Sequence, residues 1–232
     1  CPQCRTELAL RDNVPVISWL VLRGKCRTCQ EPIPAGYPLV ELANAILWVL
    51  AGLRFGPHVI LLPYLVLFSV LLALSVIDLE LYLLPNRITY PSIAASVVAI
   101  PLLSLLVHPH HVGTAILYAA MGGLGYSAFL LVVSVLFELV AKKNGMGMGD
   151  VKLALLIGLW LGWIYWELTL LSLIIASVLG LVAGAAVLIG RRGQSEAYPF
   201  GPWLALGCII AILLSGPLLH FYEILQVYGV GV

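Results

Sequence analysis

Charge is what this chain has least of. Acidic and basic side chains make up 10% of its 232 residues, against about 25% in an average soluble domain. So little charge, with 62% of residues apolar, excludes an ordinary soluble protein and marks an integral membrane protein. Excess charge of one sign is also missing. A formal net charge of +1 offers no electrostatic footprint to nucleic acid, and no such partner is expected. The chain has no glycine-rich fingerprint of the Rossmann kind and no inverted repeat of the kind found in secondary transporters. It begins at Cys1 rather than Met. An upstream segment is therefore expected to be missing, and no signal peptide is left to read.

What is present is a set of long apolar runs. A helix needs about 20 residues to cross a hydrocarbon core. Charge-free stretches of that order cover residues 55–77, 88–137, 168–190 and 197–222. The second is long enough for two helices, broken at His108-Pro109-His110-His111. Two shorter runs, 42–53 and 153–166, bring the expected number of spans to seven. The first of these also reads as a partly inserted helix. The second extends back through Val151 and Lys152 if the lysine snorkels. The fold class expected is an all-α polytopic membrane protein with a small polar module ahead of it. Residues 1–40 form that module and 41–232 the multi-span domain.

Orientation follows from the basic residues. Eleven of the twelve Lys and Arg fall in the alternate loops 1–40, 78–90, 141–152 and 190–201, and Arg54 alone lies opposite. Those four loops are expected to be cytoplasmic. The His108–His111 cluster then lies outside, as an interfacial loop rather than a metal site. Gly158 with Gly162, and Gly180 with Gly184, are small-residue pairs that let helix backbones approach closely.

The polar module carries Cys1-Pro2-Gln3-Cys4 and Cys26-Arg27-Thr28-Cys29. Two CxxC turns supply the four thiolates of a tetrahedral metal site, with zinc the first choice and a redox dithiol pair the alternative. A reducing cytoplasm favours metal over disulfide, and Arg23 and Lys25 would help hold thiolates. Four thiolates leave no open coordination position, so the expected role is structural. Cys208 falls in the last apolar run and reads as packing. Residues 33–41 contain two prolines and are expected to be extended or turned. Glu41 is expected to cap the first span or to neutralise a basic neighbour.

Two acids then call for an explanation. Asp78 closes the run Leu74-Ser75-Val76-Ile77-Asp78, and Asp150 opens another after Gly145-Met146-Gly147-Met148-Gly149. The expected topology puts both at the cytoplasmic edge, where a carboxylate is costly. Taken singly, Asp78 reads as an interfacial acid paired with Arg87, and Asp150 as a helix N-cap. Taken together they read as a carboxylate dyad in which one member keeps a proton. Such a pair can activate water and polarise a carbonyl, which is aspartyl peptide hydrolysis. Gly145, Gly147 and Gly149 give a flexible backbone that another peptide strand can approach. The rival readings are an ion- or proton-coupled transporter and a structural subunit. Against a transporter, the acids lie at one edge rather than at the midplane. Glu80, Glu138 and Glu196 are expected near the same face, where they would attract a basic segment. The Pro199-Phe200-Gly201-Pro202 turn reads either as a rigid helix start or as a groove wall.

These motifs together resemble the bacterial type IV prepilin peptidases, within the GxGD class of membrane aspartyl proteases. The resemblance rests on the paired CxxC motifs, Tyr37-Pro38-Leu39-Val40-Glu41, Ile77-Asp78 with Leu84-Pro85-Asn86, Gly145 to Lys152, and Pro199 to Pro202. It implies cleavage of basic leaders from prepilins and type II secretion pseudopilins, after a glycine, on the cytoplasmic side of the bacterial inner membrane. In many members, methylation of the new N-terminus by S-adenosylmethionine follows. It implies Asp78 and Asp150 as the catalytic pair. Cys1, Cys4, Cys26 and Cys29 would be the zinc-type ligands, and Gly147 and Gly149 the motif glycines. Family members usually carry a hydrophobic helix and a loop ahead of the first CxxC.

Overall fold

The computed structural model of the chain describes residues 4–7, 12–107, 109–142, 147–190 and 199–227. Among them there are eight helices: α1 (Ile17–Val21), α2 (Gly36–Phe55), α3 (Leu61–Leu81), α4 (Asn86–Val107), α5 (Val112–Ala141), α6 (Met148–Ile164), α7 (Glu167–Gly190) and α8 (Gly201–Val227). An isolated antiparallel bridge, Lys25 to Pro32, is the one β pairing among the described residues. Lipid cannot satisfy open backbone groups, so an apolar chain of this composition goes into helices. Five of the helices are long and apolar enough to cross a membrane: α2, α3, α4, α5 as far as Val140, and α7 as far as Val187. Helix α8 adds a shorter apolar stretch, Gly201–Gly216, and α6 has 17 residues. The chain is a multi-pass membrane protein.

It divides into two compact units, Cys1–Pro57 and His58–Val232. In the first unit the expected extended segment ends early. Helix α2 begins at Gly36 and carries Pro38 in its first turn, where the missing N–H has no intrahelical partner to lose. The first expected span thus gains a turn and reaches 20 residues, long and apolar enough to cross a membrane.

In the second unit α6 is the central element. Its residues from Leu156 to Trp163 are all buried, and it packs on α4, α5, α7 and α8. The closest approach is to α5. A Cβ on Gly122 would lie 2.5 Å from the Gly158 carbonyl oxygen and 2.8 Å from Gly162 Cα. On the other side, α6 is tied to α4 by two buried indoles. Trp160 Nε1 donates to Ser96 Oγ and Trp163 Nε1 to Ser104 Oγ, each at 2.8 Å. Without those bonds each buried N–H would be left unpaired, at about 1–3 kcal/mol apiece. Packing is thus the role of Gly158 and Gly162. Replacing Gly158 by leucine would drive a side chain into the Gly122 backbone. The expected result is loss of the folded protein or a lower unfolding midpoint in detergent, followed by thermal scan. An unchanged midpoint would contradict the contact.

Candidate functional site

Asp78 lies in the last turn of α3, and Asp150 in the first turn of α6. The helices run in opposite directions, so the end of one and the start of the other meet at the same end of the unit. Both carboxylates are buried, at 5% and 8% exposure. They converge on Gly201, the first residue of α8. The Gly201 N–H donates to Asp78 Oδ2 at 3.1 Å. A Cβ on Gly201 would lie 2.6 Å from Asp78 Oδ2 and 3.5 Å from Asp150 Oδ1.

The local reasons are specific. Asp150 is not the N-cap of α6. That position belongs to Gly147, in an extended conformation, and the Asp150 N–H bonds back to the Gly147 carbonyl at 3.0 Å. Asp150 occupies the first turn, where the helix dipole favours a carboxylate while its side chain stays free to face Asp78. Asp78 does not pair with Arg87; among the described residues its partner is the Gly201 N–H, and the recorded ion pair is Arg27 with Asp12, in the other unit. Gly149 leaves room for a close contact: a Cβ there would sit 3.0 Å from Leu84 Cβ, tighter than ordinary packing. The Leu84-Pro85-Asn86 turn therefore lies directly against the start of α6.

The Phe200-Gly201 turn is seated by α7. Phe200 lies over Gly180, whose Cβ would be 3.0 Å from the ring. The pair Gly180 and Gly184 thus enters the site through Gly180, which makes room for the ring that fixes Gly201. Gly201 is the residue the sequence reading missed. It stood there as part of a turn, with no sign that its N–H reaches a carboxylate 123 positions away. Of the glycines expected in a substrate loop, Gly147 is the extended N-cap of α6 and Gly149 lies within the first turn of that helix rather than in a loop, both ahead of Asp150; Gly145 lies outside the described residues, as does Glu196. Glu80 and Glu138 are exposed near the ends of α3 and α5.

The first unit holds a separate cluster. The sulfurs of Cys4, Cys26 and Cys29 lie within 4.8 Å of one another, with Cys4 and Cys26 at 4.0 Å. Tetrahedral zinc with bonds of about 2.3 Å sets sulfurs about 3.8 Å apart, so the donor set fits that ion. Cys1, the fourth expected ligand, lies outside the described residues. The Cys26–Cys29 turn is shaped by the backbone: Cys26 N–H donates to the Glu31 carbonyl at 2.9 Å and Gln30 N–H to the Cys26 carbonyl at 3.0 Å. Hydrogen bonds from the Thr6 hydroxyl and backbone N–H lower the Cys4 thiol to about 7. For Cys29 the Glu31 N–H acts downward, but desolvation and the Cys26 and Cys4 thiols outweigh it and the thiol is raised. Three crowded thiols of this kind call for a cation before all can ionise. Glu41 accepts the Val16 N–H at 2.7 Å, which ties the α1 start to α2 and gives Glu41 a structural partner. Cys208 is fully buried in α8, as a packing residue should be.

The histidine break falls at the opposite end of the second unit. His108 is outside the described residues; His111 precedes α5 and lines an open hollow of about 370 Å³ with Tyr118, Trp163, Tyr165, Trp166 and Glu167. Aromatic side chains at that level suit a membrane–water interface.

A multi-pass helical membrane protein with two aspartates buried side by side where its helices end is a narrow class. Residues 1–55 match the model of the bacterial peptidase A24 N-terminal domain, and residues 65–185 that of the type IV leader peptidase family. A protein of Aeromonas hydrophila named prepilin leader peptidase/N-methyltransferase is 37% identical over 225 residues, covering 96% of this chain and 73% of that one. A Pseudomonas putida protein of the same name is 40% identical over 214 residues, with 92% and 70% covered. One from Pectobacterium carotovorum subsp. carotovorum is 32% identical over 218 residues, with 93% and 74% covered. No solved structure matches. The chain belongs to the type IV leader peptidase family.

Proposed function

We propose that the chain is a membrane aspartyl endopeptidase that removes the basic leader from type IV prepilins and type II secretion pseudopilins, cutting after a glycine, with Asp78 and Asp150 as its catalytic pair. The observation that carries this reading is the convergence of the two buried carboxylates on Gly201. The family to which the chain belongs and the names of its relatives support it, and nothing in them supports a transporter.

The chemistry follows from the pair. Burying a carboxylate costs several kcal/mol per ion, and one hydrogen bond to a charged group returns about 1.5–3 kcal/mol. Two side-by-side charges served by the Gly201 N–H are therefore best held as one carboxylate and one carboxylic acid. The ionised member takes a proton from water as the oxygen attacks the scissile carbonyl. The protonated member hydrogen-bonds to the carbonyl oxygen, and the proton taken from water passes from the dyad to the departing amine as the C–N bond breaks. The leader lies extended against the start of α6, where Gly147 is the N-cap and Gly149 lies in the first turn.

The wider reading has seven spans in residues 41–232, with the site at the cytoplasmic face of the bacterial inner membrane. Its support is the distribution of basic residues. Residues 1–40 form a structural zinc module with Cys1, Cys4, Cys26 and Cys29 as ligands. Purified protein is expected to hold equimolar zinc by elemental analysis, and Cys26→Ser to hold almost none; equal zinc in both would contradict it. N-methylation of the new N-terminus with S-adenosylmethionine as donor is the second activity, supported by the relatives' names. The residue seated between the aspartates, Gly201, offers no group that would hold that donor's sulfonium or adenine.

The test is incubation of the purified protein, in detergent or lipid, with a prepilin bearing a basic leader, with mass spectrometry of the products. The expected products are a free leader ending in glycine and a mature chain. An intact substrate would sink the proposal.

A further inference from the structure

Lys152 stands two residues past Asp150, and its ammonium is engaged by α4. Nζ donates to Asn86 Oδ1 at 2.9 Å and lies 4.9 Å from the centre of the Tyr90 ring. Asn86 and Tyr90 are four residues apart at the start of α4, so they share one helix face. A flexible stem with three donors can serve an amide oxygen and an aromatic face at once. A second contact closes the same junction, with Leu84 packed over Gly149. At its other end, this connection leaves α3 through Tyr82, which is left-handed at φ 54°. The Tyr82 N–H returns to the Asp78 carbonyl oxygen at 2.9 Å. One short connection therefore departs from the turn that carries one carboxylate and is clamped to the turn that carries the other.

The geometry points to a latch: Lys152, Asn86 and Tyr90 are positioning residues that lock the start of α6 to the start of α4 and so hold Asp150 against Asp78. This inference rests on the reading of the two aspartates as the catalytic pair. The latch touches neither carboxylate, and the lysine ammonium is already engaged within the protein. Its loss should therefore slow turnover and leave substrate binding nearly unchanged. A misplacement of about 1 Å in a catalytic constellation can cost on the order of 100-fold in rate.

The experiment measures prepilin cleavage by the full chain in detergent, with kcat and KM resolved separately, and each variant checked for its unfolding midpoint. Lys152→Met is expected to lower kcat by about 10-fold or more with KM within about twofold. Lys152→Arg, which keeps the cation, and Asn86→Asp, which keeps an oxygen acceptor, should retain most of the rate. Asn86→Ala should fall as Lys152→Met does, and the double variant should be no worse than either single one. Asn86→Ala changes no charge, so it serves as the test if Lys152→Met fails to fold. A wild-type kcat in Lys152→Met or Asn86→Ala would overturn the latch. So would a loss confined to KM, or losses that multiply in the double variant. Asp78→Asn in the same assay separates the two ideas. If it is inactive while Lys152→Met is unimpaired, the latch alone fails; if it cleaves normally, the aspartate reading fails.

Discussion

Asp78→Asn and Asp150→Asn are each expected to abolish leader cleavage, with losses in kcat of about 10²–10⁴-fold, the range of a positioned acid or base. An amide has nearly the volume of a carboxylate. The buried pocket at Gly201 should therefore accept it without the strain that alanine or leucine would bring. The chemistry is another matter. An amide cannot take a proton from water, and it cannot pass one to a leaving amine. Whichever member is replaced, the shared proton has no partner carboxylate with which to exchange. A pair that shares one proton carries a single charge, and the variant leaves at most one buried charge at the site, so the folded state should not suffer. Loss of cleavage with an unchanged or higher unfolding midpoint is the expected combination. Loss of both cleavage and the midpoint would mean that the residues serve folding first.

Gly201→Ala should come close to those losses, although it adds only a methyl group and touches no ionisable atom. That methyl would lie 2.6 Å from Asp78 Oδ2, well inside ordinary contact. Three things resist relaxation. Gly201 begins α8, Phe200 beside it is packed over Gly180, and Asp78 is buried in α3. Either the carboxylate rotates away or the turn lifts off, and both lose the Gly201 N–H bond to Asp78. Displacement of about 1 Å at a catalytic group costs on the order of 100-fold. The expected result is therefore a kcat reduced by about that factor, with substrate binding largely kept. Normal turnover by Gly201→Ala would show that Asp78 does not need this contact.

The parts of the fold that were legible are those imposed by lipid. A bilayer leaves an apolar run one choice of structure, so residues 88–137 could be divided at the histidine break, and α4 and α5 follow that division. The helix starts were less legible. Two prolines in 33–41 suggest a breaker, yet Pro38 sits in the first turn of α2, where proline is at home. Asp150 looked like an N-cap because aspartate favours that place, but Gly147 holds it. A three-residue shift along the helix turns a capping side chain into one aimed at its neighbours.

The site itself was legible as two acids on one face and illegible in what holds them. Gly201 acts through a backbone N–H, a group every residue but proline has, so its side chain carries no signal. Lys152 was read as a lysine escaping the bilayer, whereas its ammonium is used by Asn86 and Tyr90. Glu41 had several plausible partners by composition, and the one it has is a backbone N–H at Val16. In each case the partner lies far away in sequence or on the main chain, and neither leaves a pattern in residue type.

The central claim is that the two aspartates act as one unit, and the most direct measurement compares kcat/KM for prepilin cleavage in wild type, Asp78→Asn, Asp150→Asn and the double variant, all confirmed as folded. The account predicts that each single variant is as inactive as the double one, because half a dyad does no more than none. Near wild-type cleavage by either single variant, or single losses that multiply in the double one, would contradict it.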